Sequence, residues 1–392
     1  MKILRVIASM DPSSGGPCQG IRNSVPEQNK IGVSTEVVCL DSSSEKYITN
    51  DEFTIHALGP SKRPWQYSSY LLPWLKEHLS RFDVVIIHGL WLYHGYAVYK
   101  AIKYLRKQGG KVPPYFVMPH GMLDPYFQKA EGRKLKALRN NLYWALIEKK
   151  VVNGANGVLF TCEEELLLAR TTFASYKPKK ELNIGYGIPS PPACTVSMAE
   201  AFYKKFSKLR GKRFILFLSR IHEKKGVDLL LKAYNDIRKE HPKFPDLVIA
   251  GPGMGTDYGK NLLEILSPEA QPHVFFPGML SGEDKWGAFY ASEAFVLPSH
   301  QENFGIAVAE ALACGKPVLI SDQVNIWREI DEGGGGLVAP DTFEGAEMLL
   351  KTWFEMKEED KVDMGLKARK VYEQHFSIVP AAKRMVEVIK SS

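Results

Sequence analysis

Two carboxylates, Glu302 and Glu310, stand eight positions apart in the stretch HQENFGIAVAEALACGKPVLISD (300–322). A Phe-Gly break separates a polar loop from a short apolar run, so the first acid falls in the loop and the second about one turn inside a helix beginning near Ile306. Roughly eighty residues earlier, SRIHEKKG (219–226) sets Arg220 and Lys225 in a loop after an apolar run, with Glu223 the only acid between them. A basic loop alone is also an ordinary surface feature. Together with the free N–H groups of Asn303 to Ile306 at a helix start, these cations suit an anion such as a diphosphate. Carboxylates repel phosphates but accept paired hydrogen bonds, which neighbouring sugar hydroxyls donate. One acid per sugar, with cations and a helix N-terminus between them, describes a nucleotide sugar.

The elements that must hold these residues alternate along the chain. KILRVIAS (2–9), TEVVCL (35–40), DVVIIHG (83–89), YFVMPHG (115–121) and GVLFTC (157–162) are continuous apolar runs bounded by turn residues. The pattern restarts with RFILFLSR (213–220), DLVIAG (246–251), VFFPG (274–278), AFVLPS (294–299), PVLISD (317–322) and GGLVAP (335–340). Such runs belong to parallel sheets buried on both faces, with helices such as 227–240 between the strands. GYGIPSPPACTVS (185–197), rich in Pro and Gly, reads as a hinge between two doubly wound α/β domains. Ligands are then expected where the carboxyl ends of both sheets face each other.

Composition agrees with this plan. The 392 residues suit two domains of roughly 150 to 200 residues each. The apolar run in MKILRVIASMDPSSGG is shorter than a signal-peptide core and reads as a first buried strand, and no window matches a membrane span. Five cysteines without C-x-x-C spacing indicate neither a disulfide framework nor a zinc site, which makes a reducing cytoplasm the expected compartment. The formal charge of +7 is uneven: residues 1–190 carry 25 Lys+Arg against 16 Asp+Glu, whereas the remainder is slightly acidic. Much of the excess lies in QKAEGRKLKALRNNLYWALIEKK (128–150). There Leu135, Leu138, Leu142 and Ala145 or Leu146 form a helical apolar stripe, with Arg133, Lys134, Lys136 and Arg139 on the other faces. This is either a solvated helix face or a surface drawn to anionic lipid or a phosphate-bearing acceptor, which would place the protein peripherally on the inner face of a membrane.

The pair SRxxxxKG and Glu-x7-Glu, with ENFG and EALACGKPVLISD, resembles the signature of the family-4 retaining glycosyltransferases of the GT-B fold, of the kind that build bacterial polysaccharides and glycolipids. The resemblance covers essentially the whole chain. It implies two Rossmann-like α/β domains across a cleft: an acceptor-binding domain over 1–190, completed by a C-terminal helix at 376–392, and a nucleotide-sugar domain over 191–375. It also implies that Arg220 and Lys225 bind the donor diphosphate, that Glu302, Asn303, Phe304, Gly305 and Ile306 meet the donor sugar, and that Glu310 holds the ribose. Ser14, Gly15 and Gly16 would lie near phosphate and acceptor, and His120 of MPHGMLDP near the donor sugar. Base recognition would fall on Gly251 and Gly253 and on Met279 and Leu280. Tyr186-Gly187 stands where many relatives carry Asn-Gly, which puts the hinge contacts in question. The chain has no D-x-D pair, so the expected catalyst uses no metal or other cofactor, with Arg220, Lys225 and the helix dipole neutralising the leaving diphosphate.

His88, Trp91, Tyr93 and His94 in IIHGLWLYHG could line an acceptor pocket or simply pack. GPGMGTDYGK misses both the G-x4-G-K-[ST] phosphate loop and G-x-G-x-x-G. Aromatics near the basic stretch lack base-stacking spacing, which argues against nucleic acid. The leading expectation is transfer of a hexose from UDP-glucose, with GDP-mannose second, to a glycan or lipid-linked acceptor. A nucleotide-sugar epimerase of the same fold is the alternative. A dinucleotide oxidoreductase would need the missing glycine fingerprint, and a non-enzymatic sugar binder would leave the cations on the leaving group unexplained.

Overall fold

The apolar runs become strands of two parallel sheets in a computed structural model of the chain, which describes residues 1–129 and 134–392, Ser14 by its backbone alone. The chain divides into two compact units, Met1–Pro189 with Ile378–Ser392, and Ser190–Ser377. Unit 1 contains β1 (Lys2–Ile7), β2 (Ser34–Cys39), β3 (Ile55–Ala57), β4 (Val84–His88), β5 (Tyr115–Met118), β6 (Gly157–Phe160) and β7 (Glu181–Asn183). They lie in the order β3-β2-β1-β4-β5-β6-β7, every pair parallel. Unit 2 contains β8 (Phe214–Leu218), β9 (Asp246–Ala250), β10 (Val274–Gly278), β11 (Ala294–Leu297), β12 (Val318–Ser321) and β13 (Gly336–Ala339). Their order is β10-β9-β8-β11-β12-β13, again all parallel. Both units are Rossmann-like. In each, the strand order reverses beside its first strand, between β1 and β4 and between β8 and β11, and loops leaving the carboxyl ends there are where such sheets bind ligands.

Side chains alternate across each buried strand with a period of two. In β4, Val85 and Ile87 enter one apolar layer and Val84 and Ile86 the other. The second layer is closed by Met385, Val386 and Ile389 of the helix Ile378–Lys390, so the last helix of the chain is part of the core of unit 1.

The basic segment forms a helix over Lys134–Tyr143, a π-helical turn over Trp144–Glu148 and a further helix over Lys149–Gly154. Arg133 lies outside the described residues. The inward face carries Ala137, Asn140, Trp144, Glu148 and Val151, and Trp144 stacks on Phe173 at 4.4 Å between ring centroids. The leucine stripe therefore faces outward, because the larger aromatic surface takes the core position.

Glu148 is buried beneath this segment, and its Oε2 accepts a 3.3 Å hydrogen bond from the N–H of Trp91, which has a positive φ of 71°. Burial pushes its carboxyl from 4.5 up to about 8, against the opposing effect of that N–H. A raised folded pKa means that the neutral carboxyl contributes fully below the unfolded value and that this contribution is lost as pH rises through about 8. Glu148→Gln should therefore raise the melting temperature above about pH 8 and flatten its decline from pH 5 upward. Differential scanning fluorimetry across that range checks this; superimposable wild-type and variant curves would contradict it.

Candidate functional site

In unit 2 the loop after β8 tightens into the turn Glu223–Lys225, where the His222 side chain accepts from the Lys224 N–H at 3.1 Å. Gly226 follows with φ +64° and caps the helix Val227–Glu240. A Cβ at this position would lie 2.0 Å from the Pro298 carbonyl oxygen, so the loops after β8 and β11 can touch only over a glycine. The His300 N–H and the Ser299 hydroxyl both donate to the Lys224 carbonyl, at 2.9 and 3.0 Å. This contact draws Lys225 inward until it is 5 % exposed, where its ammonium pairs with the Glu302 carboxylate. The backbone of Glu302 is fixed in turn by its N–H to Gln323 O and by the Asn325 N–H to its own carbonyl, both 2.9 Å. Arg220, in the same loop, is exposed and has no acidic partner among the described residues.

Unit 2 also contains the predicted donor residues from Gly251 to Glu310. Gly305 has φ +72° and caps the helix Ile306–Ala313, whose first turn contains no acid to oppose an anion at its N–H groups. Phe304 is buried edge-on against Phe376, with centroids 5.5 Å apart. Glu310 lies on that helix and accepts from Lys285 Nζ at 2.8 Å; burial raises its carboxyl above the usual range while Lys285 opposes the shift. Gly251 and Gly253, at the end of β9, would carry a Cβ 1.8 Å from Ser219 O and 2.3 Å from Ile221 O, so this strand end lies against the Arg220 loop. After β10, Met279 is exposed and Leu280 buried. Lys285 was not anticipated: it sits on the helix Gly282–Ala291, where only the three-dimensional pairing with Glu310 distinguishes it from a surface lysine.

In unit 1, Gly15 has φ +89° and caps the helix Gly16–Lys30, with open space where a Cβ would stand. The Tyr186 hydroxyl donates to the Gly16 carbonyl at 3.0 Å, and its ring lies so close to Gly20 that a Cβ there would come 2.3 Å from the phenol oxygen. Tyr186 thus fixes the start of the first helix.

His88 and His120 leave the ends of β4 and β5 and meet face to face, with Nδ1 of His88 2.9 Å from Nε2 of His120. His120 holds φ +52°, a backbone conformation uncommon for a residue with a side chain. Both line a cavity of about 30 Å³ together with Arg5, Ser24 and Tyr186. Arg5 is 2 % exposed, bonded through Nη2 to Gln28 at 2.9 Å, and has no carboxylate partner among the described residues. Burial lowers its guanidinium to about 10, so it stays charged at neutral pH. Burial first and Arg5 second hold His120 down to about 3, and burial, His120 and Arg5 depress His88 as well. Of His88 Nδ1 and His120 Nε2, one donates and the other accepts, so the two neutral imidazoles share one proton between them. His94 is buried, donates from Nε2 to the His88 carbonyl at 2.9 Å, and is held by burial at about 4. Tyr93 packs in the core against Trp65 and Tyr67, and Trp91 contacts Tyr143, Trp144 and Phe173. Of the four aromatic residues expected near an acceptor, His88 alone lines the cavity, and His94 serves to position it.

The two folds and their loop chemistry define a GT-B protein, and comparison with known proteins agrees. Residues 199–371 match the family model of group 1 glycosyl transferases, and residues 15–180 match the glycosyl transferase 4-like domain. In its two domains the chain belongs to the glycosyl transferase 4-like and group 1 glycosyl transferase families, on a GT-B fold. An uncharacterized glycosyltransferase of Methanocaldococcus jannaschii is 31% identical over 147 residues, 36% of this chain and 37% of the relative. A D-inositol 3-phosphate glycosyltransferase of Paenarthrobacter aurescens is 30% identical over 163 residues, 38% of each chain. The chain thus spans well under half the length of these two curated relatives. Among solved structures, Anabaena HepE in complex with UDP superimposes with a TM-score of 0.78 at 16% identity, covering all of both chains. Sucrose-phosphate synthase from Thermosynechococcus elongatus gives 0.76 at 16% identity, covering 100% of this chain and 99% of the other. At such identities these structures speak for the fold.

The imidazole arrangement predicts a pH response. The folded pKa values of His94 and His120 lie below the ordinary 6.5, so the stability these two neutral imidazoles lend to unit 1 is fully present above 6.5 and is lost as pH falls toward about 4 and 3. Histidine-resolved NMR should show no titration of His88, His94 or His120 between about pH 5 and 8. A midpoint near 6.5 for His120 would contradict its burial beside Arg5.

Proposed function

We propose that the protein transfers a hexose from a nucleotide sugar, UDP-glucose first and GDP-mannose second, to a glycan or lipid-linked saccharide, with retention at the anomeric carbon and without a metal ion. The observation that carries this reading is the pairing of buried Lys225 with half-buried Glu302 beside an unpaired Arg220, a cation and a carboxylate held together where diphosphate and sugar would adjoin. HepE, a protein of the same fold, has been crystallised with UDP-glucose, which favours that donor class.

The ammonium of Lys225 has three donors, so one hydrogen bond to Glu302 leaves capacity for a phosphate oxygen. Arg220 supplies a guanidinium fork, and the helix beginning at Ile306 offers its leading N–H groups. As the bond from the anomeric carbon to the diphosphate oxygen breaks, negative charge grows on that oxygen and these preorganised groups stabilise it. The acceptor hydroxyl oxygen bonds the anomeric carbon on the same face, and its proton passes to the leaving phosphate. Glu302 accepts from hexose hydroxyls and favours the positive charge developing on the ring, while Glu310, oriented by Lys285, accepts from the ribose. His120 is the further catalytic residue, a neutral imidazole donor. An epimerase would use the same donor contacts but would release a second nucleotide sugar or free hexose in place of a new glycoside.

The two acids should fail differently. Glu310→Gln removes contacts made equally in ground and transition states, so donor KM rises while kcat changes little. Glu302→Gln should depress kcat by more than about tenfold with a smaller effect on KM. Steady-state kinetics with the donor that most raises the melting temperature checks both, with product analysis for a new glycoside and free nucleoside diphosphate. Identical defects would end this division of roles, loss of activity in EDTA restored by Mg²⁺ would end the metal-free reading, and release of an isomerised sugar would favour the epimerase.

A further inference from the structure

We infer that the helix Lys134–Tyr143 and the turn that follows form a docking surface for a membrane containing anionic lipid, with four leucines entering the interface. Leu135, Leu138, Leu142 and Leu146 are 85, 68, 61 and 58 % exposed. Their spacing of three, four and four residues sets them in one ridge along the helix and its π-helical continuation. A solvated helix face does not carry four consecutive outward leucines, and an exposed apolar strip of this kind marks an interaction site.

The charges beside the ridge say what covers it. Lys134, Lys136 and Arg139 are exposed and make no ion pair among the described residues. From Lys134 to Ile147 the sequence contains no acid, and Glu148, the first to follow, is buried. Unpaired cations flanking an apolar ridge complement anionic headgroups above an acyl layer, the arrangement of a helix that lies in the membrane interface. A second copy of the chain fits less well, since two-fold packing through this ridge would bring the same three cations of each copy together. Among the described residues no helix is long and apolar enough to cross a membrane, and the contact inferred is one of lying on the surface. The inference goes beyond the donor chemistry and holds whichever sugar is transferred.

The test is co-sedimentation of the full chain with phosphatidylcholine vesicles, with and without phosphatidylglycerol, at low and high salt. The wild type should bind the anionic vesicles and lose affinity with salt. Leu138→Ser with Leu142→Ser, both outward-facing and so compatible with an unchanged fold, should abolish binding while leaving the melting temperature in place. Exchanging Lys134, Lys136 and Arg139 for Gln should weaken binding by about fivefold per cation removed and erase the salt dependence. Equal binding to neutral and anionic vesicles, or none to either, would overturn the inference. So would a wild-type dimer in size-exclusion chromatography that the leucine variant converts to monomer, since the ridge would then be a contact between copies.

Discussion

The arrangement of unit 2 depends on one ammonium group. Lys225 is drawn out of water by the contact between the loops after β8 and β11, and a buried charge must find a partner. Glu302 is that partner, and the requirement ties the loop that carries Arg220 to the loop that leads into the helix Ile306–Ala313. Three glycines make the approach possible. Gly226, Gly251 and Gly253 each have a positive φ, and each stands where a Cβ would strike a carbonyl oxygen. The ion pair is therefore a property of backbone packing before it is a property of the site, and cation and carboxylate are preorganised before any ligand arrives.

Unit 1 uses burial in the opposite sense. Arg5 is enclosed without a carboxylate, and its field, added to desolvation, keeps His88 and His120 uncharged. A hydrogen bond between two neutral imidazoles then stands in place of a charge. The outward leucine ridge of the same unit follows from a local competition: Trp144 and Glu148 occupy the inner face around a π-helical turn, and the leucines are left outside.

Much of this was legible in the sequence because the signals are strong where both sheet faces are buried. The central strands announce themselves as unbroken apolar runs, and the loops after β8 and β11 carry their charges beside those runs. The edge strands β3 and β7 have three half-buried residues each and no such run, so their pairing with β2 and β6 appears only in three dimensions. Residues 128–150 showed an apolar stripe, but periodicity alone does not say which way a stripe faces. The pairing of Glu310 with Lys285 and the place of Arg5 in the cavity were equally out of reach, since each joins separate elements of the chain, and for Tyr93 and His94 the sequence left packing and an acceptor pocket both open.

The central claim is that Lys225 is shared between Glu302 and a diphosphate. Calorimetric titration of free nucleoside diphosphate into the wild type, Lys225→Met, Glu302→Gln and the double variant tests it most directly. If the ammonium is shared, removing the carboxylate releases it: Glu302→Gln should bind the diphosphate severalfold more tightly than the wild type, Lys225→Met more weakly, and the double variant should match Lys225→Met. Weaker binding by Glu302→Gln, with losses that add in the double variant, would contradict the account.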